Sequence, residues 1–364
     1  MLKKLKVLTV RMIIVANLVT IIFMVLSGYS DHFHPIDHPF MAVSGLAFPI
    51  FLILNLLFLV FWLFFRWRMA WISMLGYIIC FFPLHTYMPL NPTKSPPEGA
   101  IKVLSYNVKG FAVDDMAEDE INQAAEYILE SNADIVCIQE AMSNEKKGWK
   151  IDSMFQKKYQ YRDTTMQTPG DWISIYSKFP ILSKDTIKYD SENNQSVAYV
   201  LDIHGEKVLV VNNHLESNKF SSNEKQGFRQ MVGGELKEDS IRRESKLLLD
   251  KLINSAKLRA PQAESVIGYI KEKMDQGMSV IVCGDFNDTP ISYAHKVFAD
   301  ALTDCYVSSG FGPGFSYHEN RMFVRIDHMF CSDEWEPFGA KVDSKVKTSD
   351  HYPLICWLKK RSKP

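Results

Sequence analysis

Charge is scarce at one end of this 364-residue chain: between Met12 and Phe65 only Asp31 and Asp37 carry any. The chain also lacks a strong net charge, since 41 Lys and Arg stand against 42 Asp and Glu, leaving −1. Without a broad basic field, nothing advertises a general polyanion partner. Cysteine is sparse, six in all, which excludes a small disulfide-stapled scaffold. Glycine (18) and proline (16) are too few for a collagen-like or low-complexity chain, and no internal repeat is present. A hydrophobic share of 47% excludes a disordered chain. The length predicts roughly two domains of about 150 residues.

The averages hide a split. Residues 1–99 hold seven Lys and Arg and three acids, a charge of +4, and the rest of the chain carries −5. A spanning helix needs about 20 mostly apolar residues. Three stretches meet that requirement, at about 8–28, 40–65 and 69–89. Arg11 lies close enough to an end to snorkel, and Trp67, Trp71 and Tyr87 stand at interface depth. Three apolar runs with short polar breaks argue against a buried core helix. Continuation past the first run argues against a cleaved signal peptide.

Lys and Arg set the expected orientation. Lys3, Lys4, Lys6 and Arg11 precede the first span, the 29–39 loop has neither residue type, and Arg66 and Arg68 separate the second and third spans. The expectation is an inside N-terminus and a body on the extracytoplasmic side of the cytoplasmic (inner) membrane. His32, His34 and His38 crowd the outside loop beside Asp31 and Asp37. Such a group suits either a transition metal or a plain polar turn at the interface.

The predicted division is an anchor of three transmembrane helices over 1–90, a connector over 91–99 and a single body over 100–364. The connector, Asn91-Pro-Thr-Lys-Ser-Pro-Pro-Glu98, is extended because each proline turns its predecessor away from helix. In the body, strands are predicted over 101–108, 134–139, 173–177, 196–203, 207–213, 279–286, 323–331, 341–346 and 354–358. Helices are predicted over 119–131, 241–256 and 262–275. About ten strands among helices predict an α+β fold: a two-sheet β-sandwich flanked by helices, in four layers α/β/β/α.

Polar residues recur where apolar strands end: Asn107, Glu140, His214, Asp285 with Asn287, and Asp327. Strand ends are where sites are built on a rigid scaffold. Asp285 and Asn287 follow Gly284, and the two-residue strand period points them the same way, as it does Arg325 and Asp327. An adjacent carboxylate and amide suit a water and a phosphate oxygen. An Asx-turn or helix cap is the plainer use, and it fits Asp288 better. Asp350-His351 supplies a carboxylate and an ionisable imidazole just before a strand, and Asp327 suits the role of orienting His351.

Taken in order, Tyr106-Asn107-Val108, Gln139-Glu140, Asn213-His214-Leu215, Gly284-Asp285-Phe286-Asn287, Arg325-Ile326-Asp327 and Ser349-Asp350-His351 resemble the endonuclease/exonuclease/phosphatase superfamily. That superfamily includes deoxyribonuclease-like nucleases, apurinic endonucleases, neutral sphingomyelinases and inositol polyphosphate 5-phosphatases. The resemblance covers about 100–360 and implies a hydrolase of phosphoric esters that uses Mg²⁺, with Mn²⁺ as a substitute. It implies a metal at Glu140, with Asn107 beside it and Asp350 as a further metal-side carboxylate. By the same resemblance Asp285 aligns or deprotonates the attacking water and Asn287 holds it. His351, oriented by Asp327, and His214 contact the phosphate.

A hard cation held by carboxylates, neutralising charge that develops on phosphate oxygens, is what such chemistry requires. Lys109 departs from the pattern, because apurinic endonucleases often carry an acid there. This puts abasic-site repair in doubt. Residues 216–260 form a long insertion, either a substrate-selecting lid or a surface elaboration, with Arg259 and Gln262 at its end. Trp172 either lines the cleft or is a buried edge aromatic.

The expected function is a membrane-anchored Mg²⁺-dependent phosphoesterase, cleaving diesters or monoesters, with lipid or lipid-linked phosphate headgroups favoured by the tether to the bilayer. The alternative is an extracytoplasmic endo- or exonuclease. The body's charge of −5 counts against general duplex binding. A non-catalytic membrane receptor is the third reading. Five body cysteines cannot all pair, and Cys137, Cys283 and Cys356 sit in apolar strands as buried thiols. That usage favours a reducing compartment, against the orientation inferred from Lys and Arg.

Overall fold

The apolar runs of the first ninety residues fold as helices, which satisfy the backbone's hydrogen bonds within each segment, as a bilayer would require. The computed structural model describes residues 2–111, 122–141, 145–168, 171–191 and 193–362. The anchor consists of α1 (Leu2–Gly28), α2 (Pro39–Val43), α3 (Phe48–Phe65), α4 (Ala70–Ile79) and α5 (Phe81–Tyr87). Two stretches, Lys4–Gly28 and Pro39–Phe65, are each long and apolar enough to span a membrane.

The expected third span is bent by 66° where α4 meets α5. Pro83 is the physical reason: its ring clashes with the carbonyl of Ile79 and it has no N–H to offer. The freed Ile79 carbonyl instead accepts the Tyr29 hydroxyl at 2.7 Å. Inside the bundle Asn17, Asn55, Trp62 and Ser73 are buried and bonded to one another. Asn17 Oδ1 accepts from Trp62 Nε1 at 3.0 Å and from Ser73 Oγ at 2.9 Å. Asn17 donates to Asn55 Oδ1 at 3.1 Å. Such bonds join helices where lipid gives no hydrophobic drive.

The body begins with β1 (Ile101–Asn107), α6 (Gln123–Ser131), β2 (Ile135–Gln139), α7 (Glu145–Phe155), β3 (Tyr161–Thr168), β4 (Asp171–Ser177), β5 (Ile181–Ile187), β6 (Ser196–Ile203) and β7 (Glu206–His214). It continues with α8 (Ser222–Val232), α9 (Glu238–Asp275), β8 (Ser279–Asp285), α10 (Tyr293–Ala299), β9 (Thr303–Asp304), α11 (Cys305–Ser309), β10 (Asp327–Cys331), β11 (Trp335–Val342) and β12 (Leu354–Lys360). Two six-stranded sheets result, in the orders β11-β12-β1-β2-β4-β3 and β5-β6-β7-β8-β10-β9.

Strand alternation divides one apolar sequence between two cores. In β8, Ile281 and Cys283 face the core between the sheets, whereas Val280 and Val282 face α9 and α10. In β1, Ile101 and Val103 face inward, whereas Leu104 and Tyr106 pack under α6 and α7. The expected α/β/β/α sandwich is therefore the fold. All six cysteines are free and buried.

The structure departs from the sequence reading at several elements. The two helices expected over 241–275 are one helix of 38 residues with Pro261 inside it. Burial of Ala260, Ala263, Val266, Ile267 and Ile270 against the second sheet holds it through the proline. Strand β10 starts at Asp327 rather than at 323, and β11 ends at Val342. The expected helix over 119–131 is seen from Gln123, capped by the Asn122 side chain at 2.9 Å, and 119–121 lie outside the described residues. Strands β3, β5 and β9 lacked a clear alternation and went unpredicted.

Anchor and body are packed together. Ser30 Oγ donates to the Ile291 carbonyl at 3.4 Å, and His34 Nε2 lies 3.3 Å from Glu264. Arg325 is fully buried and donates to the carbonyls of Thr86 and Tyr87, at the end of α5, and of Pro313. Residue 325 precedes the strand, so the two-residue period does not apply, and Arg325 turns away from Asp327. His295 and Asp304 form a buried pair at 2.7 Å beside this junction, with Asp304 also capping α11. The connector begins with Asn91 bonded to the carbonyls of Val307 and Gly310 at 2.8 and 3.0 Å.

Candidate active site

Parallel pairing of β7 with β8, and antiparallel pairing of β8 with β10, brings three strand ends level. His214 is opposite Asp285, and Asp285 is opposite Asp327. The ends of β1 and β2 arrive from the other sheet with Asn107 and Glu140. Gly284 makes the approach possible. Its φ is +141°, and a Cβ there would lie 2.0 Å from the Asn213 carbonyl oxygen. Glu140, Asn287 and Lys109 hold left-handed backbone at φ of 50°, 51° and 47°. Non-glycine residues rarely adopt that conformation, and where they do it is often at functional sites.

Asp285 is the hub, and it is buried. Its Oδ2 accepts from Asn107 Nδ2 at 3.0 Å and lies 3.6 Å from His351 Nε2 and 3.9 Å from His214 Nε2. Its Oδ1 accepts the Asn287 N–H at 2.8 Å, so an Asx-turn coexists with the functional geometry. Asn107 Nδ2 also donates to Glu140 Oε1 at 3.0 Å, tying the two carboxylates together. His214 Nε2 lies 3.8 Å from the same Glu140 oxygen. Asn287 donates to the Leu215 carbonyl at 3.0 Å.

Behind this group, Asp327 Oδ2 lies 2.8 Å from His351 Nδ1. Ser316 Oγ holds the Asp327 backbone N–H at 3.1 Å. Burial pushes Asp285 up to about 6, and Asp327 adds to the rise while His351 and His214 oppose it. Burial acts to lower the His351 pKa, but Asp327 and then Asp285 outweigh it and carry it to about 10. The two shifts have different main causes: neighbouring carboxylates favour the charged form of His351, and burial disfavours the charged form of Asp285.

Asp350 is placed differently from the rest. Its Oδ2 lies 3.2 Å from Lys109 Nζ and 3.7 Å from Lys225 Nζ, which also contacts Glu319 at 2.6 Å. Burial would raise the Asp350 pKa, but His351 and the two lysines hold it low. Sequence reasoning singled out Lys109 only as a departure, and it missed Lys225 entirely. These pairings join positions far apart in the chain, and no local signal marks them.

Arg259 and Gln262 brace the floor of the site. Arg259 donates to Asp288 at 3.1 Å, to the Glu216 carbonyl at 2.9 Å and to Asn218 at 3.0 Å. Gln262 accepts the Glu216 N–H at 2.9 Å. Trp172 packs against the core under α6 and α7. Among the described residues, two triads of acid and histidine side chains are close enough to share a metal, Asp285-Asp327-His351 and His295-Asp304-His328; Glu140, Asp350 and the histidines of the 29–39 loop are in neither, and Glu140 meets the first through Asn107.

The catalytic strand ends open into a cavity of about 710 Å³. The insertion forms one wall through α8 and the first half of α9, and the anchor contributes another through Ala42, Val43, Leu46 and Ile50. The 216–260 insertion is thus a wall of the site.

The oxygen-rich set fits a hard divalent cation. Glu140 and Asp285 converge on one amide, the buried Asp327 Oδ1 has no hydrogen-bond partner, and burial leaves Asp285 under-compensated.

Comparison with known proteins agrees with this architecture. The chain matches no curated protein. The catalytic domain of human nocturnin, with a bound sulfate anion, superposes with a TM-score of 0.51 at 16% identity, covering 73% of this chain and 97% of that one. An endonuclease/exonuclease/phosphatase from Bacteroides vulgatus superposes with a TM-score of 0.51 at 15% identity, covering 72% and 100%. Residues 10–87 match a domain of unknown function (DUF8431). Residues 104–351 match the model described as the Endonuclease/Exonuclease/phosphatase family, whose members hydrolyse phosphoric esters and usually use a divalent metal. The chain belongs to the endonuclease/exonuclease/phosphatase family.

Proposed function

We propose that this protein is a membrane-anchored, Mg²⁺-dependent phosphoesterase, with Mn²⁺ as a substitute cation, acting on phosphate esters presented at the bilayer. The observation that carries the reading is one cavity in which buried Asp285, His214 and His351 meet a wall supplied by the anchor. Glu140, with Asn107 holding it, and Asp285 would hold the cation, which when bound neutralises charge on the phosphate oxygens. In this reading Asp350 anchors Lys109 and Lys225.

Asp285 accepts a proton from the water, and Asn287 fixes that carboxylate through its backbone N–H. The water oxygen bonds to phosphorus as the ester P–O bond breaks. The leaving oxygen takes a proton from solvent and departs as an alcohol. His351 stays protonated against Asp327 and donates to a phosphate oxygen, and His214 provides a second contact.

The proposed placement is the cytoplasmic membrane, with the body outside. Two contacts support three crossings. The 29–47 segment touches the body at Ile291, and Arg325 holds the end of α5. If α4 and α5 turned back within the bilayer, those two points would lie on opposite faces, about 30 Å apart. A periplasmic reporter fused after Pro364 would be active under this reading, and activity only of a cytoplasmic reporter would reject it.

The test of function offers the full chain in detergent phospholipids, sphingolipids, lipid-linked phosphates, DNA and bis(4-nitrophenyl) phosphate, with Mg²⁺ or EDTA. Turnover that EDTA abolishes and Mg²⁺ restores is expected. Absence of turnover under any divalent cation would refute the enzyme reading, and DNA as the sole substrate would move it to a nuclease.

A further inference from the structure

The cavity is polar where the catalytic group lines it and apolar where the anchor does. Its apolar lining, the arm, includes Ala42, Val43, Leu46 and Ile50 of the anchor and Leu248 and Leu252 of α9, and α2 packs against α9. None of these six takes part in the chemistry derived above. A cavity of about 710 Å³ is the size that takes a small organic ligand, far more than a phosphate needs.

The apolar lining is followed on α3 by further exposed apolar residues. Leu46 stands in the 3-10 turn (Ser44–Ala47) that leads into α3, and Ile50, Ile53 and Leu57 follow one another at intervals of three and four residues, so these three lie on one face of α3. All four are exposed, at 38, 57, 60 and 59%. The first two line the cavity and the last two lie further along α3, which reads as a membrane span. Eleven residues at 1.5 Å each make a stripe of about 16 Å. Half the hydrocarbon core of a bilayer is about 15 Å. A continuous apolar track therefore leads from the cavity across one leaflet to about the midplane of the bilayer.

We propose that this arm is a seat for the hydrocarbon chain of a membrane lipid phosphate, which keeps its tail along Leu46 and Ile50 while its phosphate reaches Asp285 and His351. The seat rests on the phosphoesterase reading above and names the substrate class for it. It also gives the fixed docking of anchor on body a purpose, since the tail's path is built from both. A headgroup enzyme that merely floats near the surface would need no apolar wall within its cleft.

The test is a series of alkyl 4-nitrophenyl phosphodiesters, from ethyl to octyl, kept below their aggregation limit and offered to the full chain in nanodiscs with Mg²⁺. Each methylene that enters the arm raises kcat/KM about fourfold, so the step from butyl to octyl is worth about 200-fold. In Leu252→Trp and Val43→Trp, which fill the arm from opposite walls, the octyl-to-ethyl ratio of kcat/KM falls at least tenfold. Steady turnover of the ethyl ester with no rise along the series overturns the seat and leaves the phosphoesterase reading standing. A rise that both tryptophan variants leave unaltered overturns the assigned location. No turnover of any member overturns the phosphoesterase reading and the seat with it.

Discussion

Replacing Asp327 by asparagine removes a charge and keeps the shape of the side chain. Asp327 Oδ2 lies 2.8 Å from His351 Nδ1, and both residues are buried. Asp327 is also the largest influence raising the His351 pKa to about 10, against a burial effect that acts the other way. In Asp327→Asn burial has less opposition, so the imidazole loses its proton at lower pH and donates less often to the phosphate. A hydrogen bond to a charged partner contributes about 1.5–3 kcal/mol. At about 1.4 kcal/mol per tenfold, its loss lowers kcat by about 10- to 150-fold. The alkaline limb of the profile moves to lower pH, and KM changes less than kcat because the contact tightens in the transition state. The assay is hydrolysis of bis(4-nitrophenyl) phosphate by the full chain with Mg²⁺, from about pH 6 to pH 10. If Asp327→Asn stays within about twofold of wild type over that range and the alkaline limb does not move, the reasoning about a charged His351 is refuted.

Stability in EDTA should fall as pH rises from 6.5 to about 10, because folded His351 holds a proton that the unfolded chain has released. A melting temperature that climbs across that window would contradict the shift. Gly284→Ala places a Cβ 2.0 Å from the Asn213 oxygen at a φ of +141°, and should cost more than about 3 kcal/mol. An unchanged melt would show that β7 and β8 do not approach so closely. Arg325→Met strips a donor from the carbonyls of Thr86, Tyr87 and Pro313 and should cost about 1–3 kcal/mol, loosening body from anchor. Limited proteolysis between residues 91 and 99 then speeds up, and equal cleavage of variant and wild type would count against the clamp.

Much of the site was legible because its residues stand at strand ends. Asn107, Glu140, His214 and Asp285 each close an apolar run, and such a run ends where the chain leaves the core; Asp327, expected to close one, instead opens β10, which runs antiparallel to β8 and so reaches the same place. The four layers were legible for a related reason: continuous apolar strands between amphipathic helices demand a core on both faces of each sheet. Where local periodicity misled, a specific cause is visible. Arg325 was assigned to the face of Asp327 by a strand rule, but the strand begins two residues later. Periodicity divides 241–275 into two helices, and packing of α9 against the second sheet joins them across Pro261. Pro83 lies within an apolar run long enough to span, and its ring and missing N–H bend the helix.

Sequence alone determined what each part is made of: an apolar, slightly basic head, a polar body, and a set of phosphate-ester residues in family order. Those properties are written locally, in run length, alternation and motif. Tertiary structure decided what faces what. It committed Asp350 to Lys109 and Lys225, carried Arg325 to the end of α5, and turned residues 42–50 and the 216–260 insertion into walls of one cavity. Each of these joins residues far apart in the chain. Such contacts depend on the closing of two sheets and the docking of the anchor, which no local pattern encodes.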